Sequence, residues 1–322
     1  MYFSMSERRF LSLLLSFTWF LPLQGGINGA FEPCPGKYCG RVIKEDGKPG
    51  DCGACPRGYN TNGTVCLECS SSPDLYDWLY LGFMAFLSLI IHWFFIDLFA
   101  KRDRKSILFL CASAFVESTL AAIFSLLISK PQGSLSLTSC KTKQIADWYT
   151  IFFNPKPDYV NTIHCTQEAV YPLYTIVLMY YALSVGLLFL FRPIISHQFC
   201  DGQGRDSTYA AMYFLPSLAM LHALFGGIIY YSYPYITLTV SVLSTAAVLA
   251  KNKIMHISQL VKSKRHAIII VAHWLAHAYG ILAVTQLRDP AVHGPMFALV
   301  LAPVSFFLLT HSFTEPSKFK TP

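Results

Sequence analysis

Apolar runs dominate the chain, and their lengths sort into two kinds. The first, Phe10 to Leu23, has 14 residues, short of the roughly 20 that a helix needs to cross about 30 Å of hydrocarbon. Beyond Pro73 the runs are Leu75 to Ala100, Ile107 to Ile128, Val170 to Phe191, Tyr209 to Tyr231, Ile236 to Ala250, Ala267 to Thr285 and Met296 to Thr310; five have 19 residues or more, and the two shorter ones of 15, Ile236 to Ala250 and Met296 to Thr310, are counted with them. They predict seven transmembrane helices, the last interrupted by Pro303, the fourth and fifth separated only by Ser232-Tyr233-Pro234-Tyr235. The fold class expected is therefore an all-α polytopic membrane protein, preceded by a small disulfide-rich N-terminal lumenal module.

The short first run follows Arg8 and Arg9 and precedes small residues from Gly25 to Ala30, the order of a secretory signal peptide. The division that follows is 1–30 signal peptide, 31–74 cysteine-rich lumenal module, 75–310 transmembrane domain and 311–322 cytosolic tail. Composition agrees: 53% of residues are hydrophobic and 13% charged, against roughly a quarter charged in a soluble domain. The net charge of +7 lies in short clusters between the runs, so it reads as a topology signal, and no nucleic-acid motif accompanies it. With the segment after the first span in the cytosol, the loops and tail on that side carry thirteen Lys and Arg against five in the loops between spans on the other. Basic loops stay cytosolic, which places the N-terminus outside and the C-terminus inside, as the signal peptide also requires.

This orientation bears on the cysteines. Cys52, Cys55, Cys66 and Cys69 form two Cys-x-x-Cys pairs whose spacing suits either zinc or disulfides. In an oxidising lumen thiols close, and a module of about 40 residues needs such cross-links. With Cys34 and Cys39 the even count fits three bridges. The stretch resembles small receptor-type modules of the form C-x-x-C-P-x-G followed by C-x-x-C, and that resemblance implies Cys52 with Cys66 and Cys55 with Cys69. Cys140 and Cys165 stand alone in the loop after the second span and are expected to pair with each other, leaving Cys111 and Cys200 reduced. Asn62-Gly63-Thr64 is a glycosylation sequon, usable on the lumenal side. In the same long loop, Trp148, Tyr149, Phe152, Phe153 and Tyr159 suit the headgroup region and predict an interfacial hairpin.

Ionisable groups inside spans are costly and so invite functional readings. Glu117 sits mid-span, His92 and Asp97 late in the first span, His222 in the fourth, His273 and His277 in the sixth. Glu117 is expected beside a histidine. His273 and His277 lie one turn apart on one face, a spacing that suits a metal, but Trp274 stands where a hydrolytic H-E-x-x-H motif has Glu. Interhelical hydrogen bonding is the reading adopted, and no metal or cofactor is expected. Phosphate-loop, nucleophile-elbow and dinucleotide motifs are absent.

Several strings then fall together: SPDLYDWLYLGFMAF (72–86), HWFFI (92–96), DWYTIFFNPKPDYV (147–160), HCTQEAVYPLYTIV (164–177), HWLAHAYGI (273–281) and FTEPS (313–317), with CGACPRG (52–58) before them. In this order they resemble the Jun N-terminal kinase-associated membrane protein family, from about Cys34 to Ser317. The resemblance implies an adaptor of the endoplasmic-reticulum membrane, with a plasma-membrane fraction allowed, and not an enzyme. Its implied partners are a JNK-type kinase, whose activity it prolongs, and the ubiquitin ligases and proteasomes that dispose of misfolded membrane proteins, besides the lipid bilayer. The alternative is a membrane enzyme or transporter using Glu117, His273 and His277. The family's kinase contact lies in its C-terminal region, but the tail here is only about 12 residues. The basic stretch 251–266, with Lys251, Lys253, Ile254, Ile257 and Leu260, is a second place for a kinase to dock.

Overall fold

In the computed structural model the apolar runs are helices: α1 (Leu75–Phe99), α2 (Arg104–Ile128), α3 (Leu173–Phe199), α4 (Arg205–Lys251), α5 (Lys264–Thr285), α6 (Pro290–Met296) and α7 (Ala302–Thr314), with a 3₁₀ segment Phe297–Leu301 joining the last two. The structure describes residues 32–36, 38–99, 103–141, 144–149, 165, 170, 172–254, 256, 259–260 and 263–314. The signal-peptide stretch, most of the aromatic stretch 147–159 and the tail beyond 314 lie outside the described residues. Helix starts are capped as their sequences dictate. The Asp103 carboxylate accepts from the Lys105 and Ser106 amides and the Ser106 hydroxyl, satisfying donors that the first turn leaves free. These hydrogen bonds hold its pKa below the usual carboxylate value. Ser263 caps α5, and Asp289 followed by Pro290 opens α6, the arrangement that suits a proline at the first helical position.

The bundle is apolar outside, and polar side chains are set within its apolar core. Its outward positions carry Phe86, Ile90, Leu108, Leu224 and Leu243, whereas Ser88, Ser113, Ser118, Ser184, His222, Glu117 and Arg192 are buried. Against lipid there is no hydrophobic drive between helices, so small and hydrogen-bonding side chains make the contacts.

Six stretches among the described residues are long and apolar enough to cross a membrane, one fewer than the hydropathy predicts. The difference lies in α4, where 232–235 does not break the helix. Its 47 residues stay helical through that link. Pro234 deprives the Tyr230 carbonyl of its helical donor, and the Tyr76 hydroxyl supplies one instead at 2.7 Å. Tyr233 returns a hydrogen bond to the Tyr76 carbonyl at 3.0 Å.

Pro234 nevertheless divides α4 into two arms with different neighbours. The first arm packs on α1 and α3. The second lies beside α5, with Leu238 on Gly280, Ser241 on His277 and Ser244 on His273. Tyr235, Asp74 and Arg288 line one cleft, so the middle of α4, the start of α1 and the end of α5 share a level. From there α5 runs beside α1, its Tyr279 hydroxyl donating to the Leu79 carbonyl, and the second arm runs with it. Counted by arms, the six apolar stretches make seven runs of helix.

The head is built on two short hairpins. Strand β1 (Cys39–Ile43) pairs antiparallel with β2 (Pro49–Ala54), and β3 (Tyr59–Thr61) with β4 (Cys66–Glu68), an Arg41–Val65 bridge joining the two sheets. Four disulfides follow a pattern unlike the one expected: Cys34–Cys52, Cys55–Cys66, Cys39–Cys165 and Cys69–Cys140. Neither Cys52–Cys66 nor Cys55–Cys69 forms, and Cys140 does not meet Cys165. The reason is topological. The connection from α2 to α3 returns to the head's side of the bundle and lies against it, as the Ser71–Ser139 bridge shows. Two bridges therefore join segments 126 and 71 residues apart, a pairing invisible to spacing within the module.

Candidate functional site

The deepest polar group is an ion pair between α2 and α3. Glu117 and Arg192 are both fully buried, and the guanidinium binds the carboxylate with two hydrogen bonds, Nε to Oε1 at 3.0 Å and Nη2 to Oε2 at 2.8 Å. Ser113, one turn earlier on the same face of α2, donates to Oε1 at 2.5 Å. The planar fork of arginine matches both carboxylate oxygens at once. A charge at this depth is tolerated because it is paired and hydrogen-bonded. Arg192 Nη1 and, on α1, His92 Nδ1 are buried with no hydrogen-bond partner among the described residues.

Glu117 thus meets an arginine and not a histidine. Arg192 reads in the sequence as the basic stop of a span, because Pro193 follows it. The helix instead runs through Pro193 to Phe199, which carries Arg192 inside. The signal that could have revealed this is the apolar pair Ile194 and Ile195, followed by turn residues only at Cys200-Asp201-Gly202. His92 lies edge-on to Phe214, ring centroids 4.8 Å apart.

A second cluster gathers toward the head. His222 directs Nε2 at the Tyr174 carbonyl, 3.1 Å away, and Nδ1 at the Tyr80 hydroxyl, also 3.1 Å away. A carbonyl only accepts, so the proton is on Nε2 and Tyr80 donates to Nδ1. Tyr230 donates to the Asp77 carboxylate at 2.6 Å, and Asp77 also accepts the Asp74 amide at 3.1 Å. Trp148 packs among Tyr80, Tyr174 and Tyr230, and Tyr149 donates to the Leu224 carbonyl at 3.3 Å. Gly226 and Gly227 make room for this pair: a Cβ on Gly227 would stand 2.7 Å from Trp148 Cβ and 2.7 Å from Tyr149 Cε2. The described start of the aromatic loop is therefore seated in the bundle; Phe152, Phe153 and Tyr159 lie outside the described residues.

His277 and His273 bond through Nδ1 to the hydroxyls of Ser241 at 2.8 Å and Ser244 at 3.1 Å. Each ring meets a different serine across the α4–α5 interface. No group of three metal-ligating side chains occurs among the described residues. Asp97 is outside these clusters. Cys111 and Cys200 are free thiols. In the head, Asn62 is exposed and its side-chain oxygen accepts from the Thr64 amide, the Thr64 hydroxyl and the Val65 amide, so the sequon forms a compact turn. The docking reading of 251–266 does not survive. Ile254 and Leu260 are buried against Leu249, Ile270 and Val304, so they anchor the turn after α4 and are not offered to a kinase; Ile257 lies outside the described residues.

Compared with known proteins, residues 34–316 match the family described as JNK1/MAPK8-associated membrane protein. Proteins of that name from Mus musculus and Homo sapiens are each 45% identical over 294 residues, which is 88% of this chain and 94% of the relative. A homolog from Caenorhabditis elegans is 28% identical over 83% of this chain and 84% of its own. No solved structure matches.

Proposed function

Because the chain belongs to the JNK1/MAPK8-associated membrane protein family, we propose that it is an adaptor of the endoplasmic-reticulum membrane that gathers a JNK-type kinase, ubiquitin ligases and proteasomes at sites where misfolded proteins are removed. The observation that carries the kinase link is the match across nearly the whole chain to relatives named for association with JNK1. The head faces the lumen in this reading, because both the signal-peptide pattern and the basic residues flanking the spans favour that side. The seven passes then bring the tail to the cytosol, where a kinase and a proteasome are found.

The intramembrane groups support an adaptor over a membrane enzyme or transporter. Glu117 is held by Arg192 and Ser113, and His273 and His277 are held by serines. Each has a hydrogen-bond partner on its own or a neighbouring helix, as a structural role requires. Proximity labelling from a tag at the C-terminus, during folding stress in intact cells, is the test. Labelled JNK, proteasome and ligase subunits are expected. Their absence from a correctly inserted, normally abundant protein would overturn the adaptor reading.

A further inference from the structure

The start of α1, the bend of α4 and the end of α5 enclose a cleft of about 320 Å³, within the range of about 300 to 1,000 Å³ typical of small-molecule sites. Its level is set by α1, whose 25 residues, largely apolar, begin at Leu75. The first turn of such a helix lies where hydrocarbon gives way to headgroups. The walls carry both signs of charge, Asp74 against Lys141 and Arg288, together with the rings of Tyr76, Tyr231 and Tyr235.

These charges are poorly spent on one another. Lys141 and Asp74 approach only to 3.8 Å, with side chains 50% and 65% exposed, a pairing worth at most about 1 kcal/mol. Arg288 gives one hydrogen bond to the Gln286 side chain at 3.0 Å, out of five N–H donors. Asp77, deeper in the wall, is already satisfied by Tyr230 and the Asp74 amide. The lining as a whole is neutral, two carboxylates against two cations. That balance disfavours a purely anionic ligand and suits one that carries a phosphate and a quaternary or primary ammonium together.

We propose that this cleft binds the zwitterionic headgroup of a phospholipid from the leaflet on the head's side. Arg288 and Lys141 take the phosphate, as basic side chains at membrane interfaces do. Asp74 and the tyrosine faces take the ammonium, whose charge is attracted to the negative face of an aromatic ring. The acyl chains then leave along the apolar outer surface of α4 and α5. Occupancy would brace the junction of three helices at the point where Pro234 has removed a backbone hydrogen bond.

The test is native mass spectrometry of the full-length protein in detergent, titrated with phosphatidylcholine, phosphatidylglycerol, diacylglycerol and free phosphocholine. The expected result is one retained phosphatidylcholine, at least tenfold preferred over phosphatidylglycerol and diacylglycerol. Arg288→Gln with Lys141→Gln is expected to lose that preference tenfold, while Lys44→Gln on the head leaves it unchanged. Thermal melting and intact disulfides establish that each variant is folded before it is compared. Equal retention by the double variant, or equal binding of phosphatidylglycerol, would overturn the proposal. Displacement of the lipid by free phosphocholine at similar concentration would assign the cleft to soluble phosphate esters and overturn its assignment to lipid.

Discussion

The two arms of α4 belong to halves of the bundle held together by different chemistry. On the first side, α1, α2, α3 and the first arm enclose a full ion pair, a tyrosine and histidine cluster and a line of buried serines. On the second side, the second arm, α5 and α7 meet through two neutral His–Ser contacts and a small apolar cluster around Leu249 and Ile270. The apolar stretch of α3 has many fully buried residues, whereas Pro290–Thr310 has few, so the last stretch turns much of its surface to lipid or to a partner. The contrast teaches where rigidity resides. A bidentate ion pair inside a bundle cannot separate without stranding two charges in an apolar medium, whereas neutral contacts worth well under 1 kcal/mol each can be exchanged for others.

Removing one member of the ion pair is the hardest test of this contrast. Arg192→Ala strands the Glu117 carboxylate, and leaving one buried charge unpaired costs about 3–5 kcal/mol. We expect a large fall in the melting temperature of the detergent-purified protein and a shortened half-life in cells. Glu117→Leu combined with Arg192→Met should recover most of the loss, because the penalty comes from the stranded charge and not from the missing attraction. Equal damage in the double variant would mean that the pair does more than neutralise itself.

The disulfides extend the first half's rigidity into the head. Cys69–Cys140 closes a loop of 71 residues and ties the segment before α1 to the connection after α2. Its removal by Cys69→Ser with Cys140→Ser is expected to cost about 2–4 kcal/mol, read as a lowered melting temperature with the other three bridges intact by non-reducing peptide mapping. If mapping of the natural protein instead returned Cys55–Cys69, this tether would not exist and only Cys39–Cys165 could join the head to the connection.

A smaller effect is expected where the aromatic loop enters the bundle. Gly227→Ala drives a methyl group to within 2.7 Å of both Trp148 and Tyr149, and overpacking of this kind costs about 1–3 kcal/mol. Limited proteolysis after Trp148 should become faster in the variant. Gly53→Ala, with nothing within 4 Å of the added carbon, is the matched control.

Much of this architecture is legible in the sequence, and what is hidden has a common cause. Apolar runs are local, so the spanning stretches are found from length, although α6 is not and two runs prove to be one helix, and Asp103, Ser263 and Asp289 mark the starts of α2, α5 and α6. Partners are not local. Nothing near Glu117 names Arg192, which is 75 residues away, and nothing near Cys69 names Cys140. The link Ser232-Tyr233-Pro234-Tyr235 misleads for the same reason: a proline can bend a helix without ending it when the orphaned carbonyl finds another donor, and the donor, Tyr76, lies on another helix. The buried Ile254 and Leu260 show the converse error, in which two apolar residues among lysines look available until the fold covers them.

The smallest predicted effect is the one that decides whether the halves truly differ. His277→Ala removes one interhelical hydrogen bond, and Ser241, its partner, keeps a bond to the Leu238 carbonyl at 2.8 Å. The serine is therefore not left unsatisfied, and the usual cost of an orphaned buried group does not arise. A loss of about 0.6 kcal/mol is expected, the average for such contacts within a membrane, and Ser241→Ala with His277→Ala should add little beyond it. Crosslinking between engineered cysteines on the second arm and α5 would show more frequent separation in the variant, with contacts between α2 and α3 unchanged. A loss as large as that of Arg192→Ala would mean that both halves are locked alike, and that a partner drawn to the C-terminal helices must bind a rigid surface and not one that can rearrange to receive it.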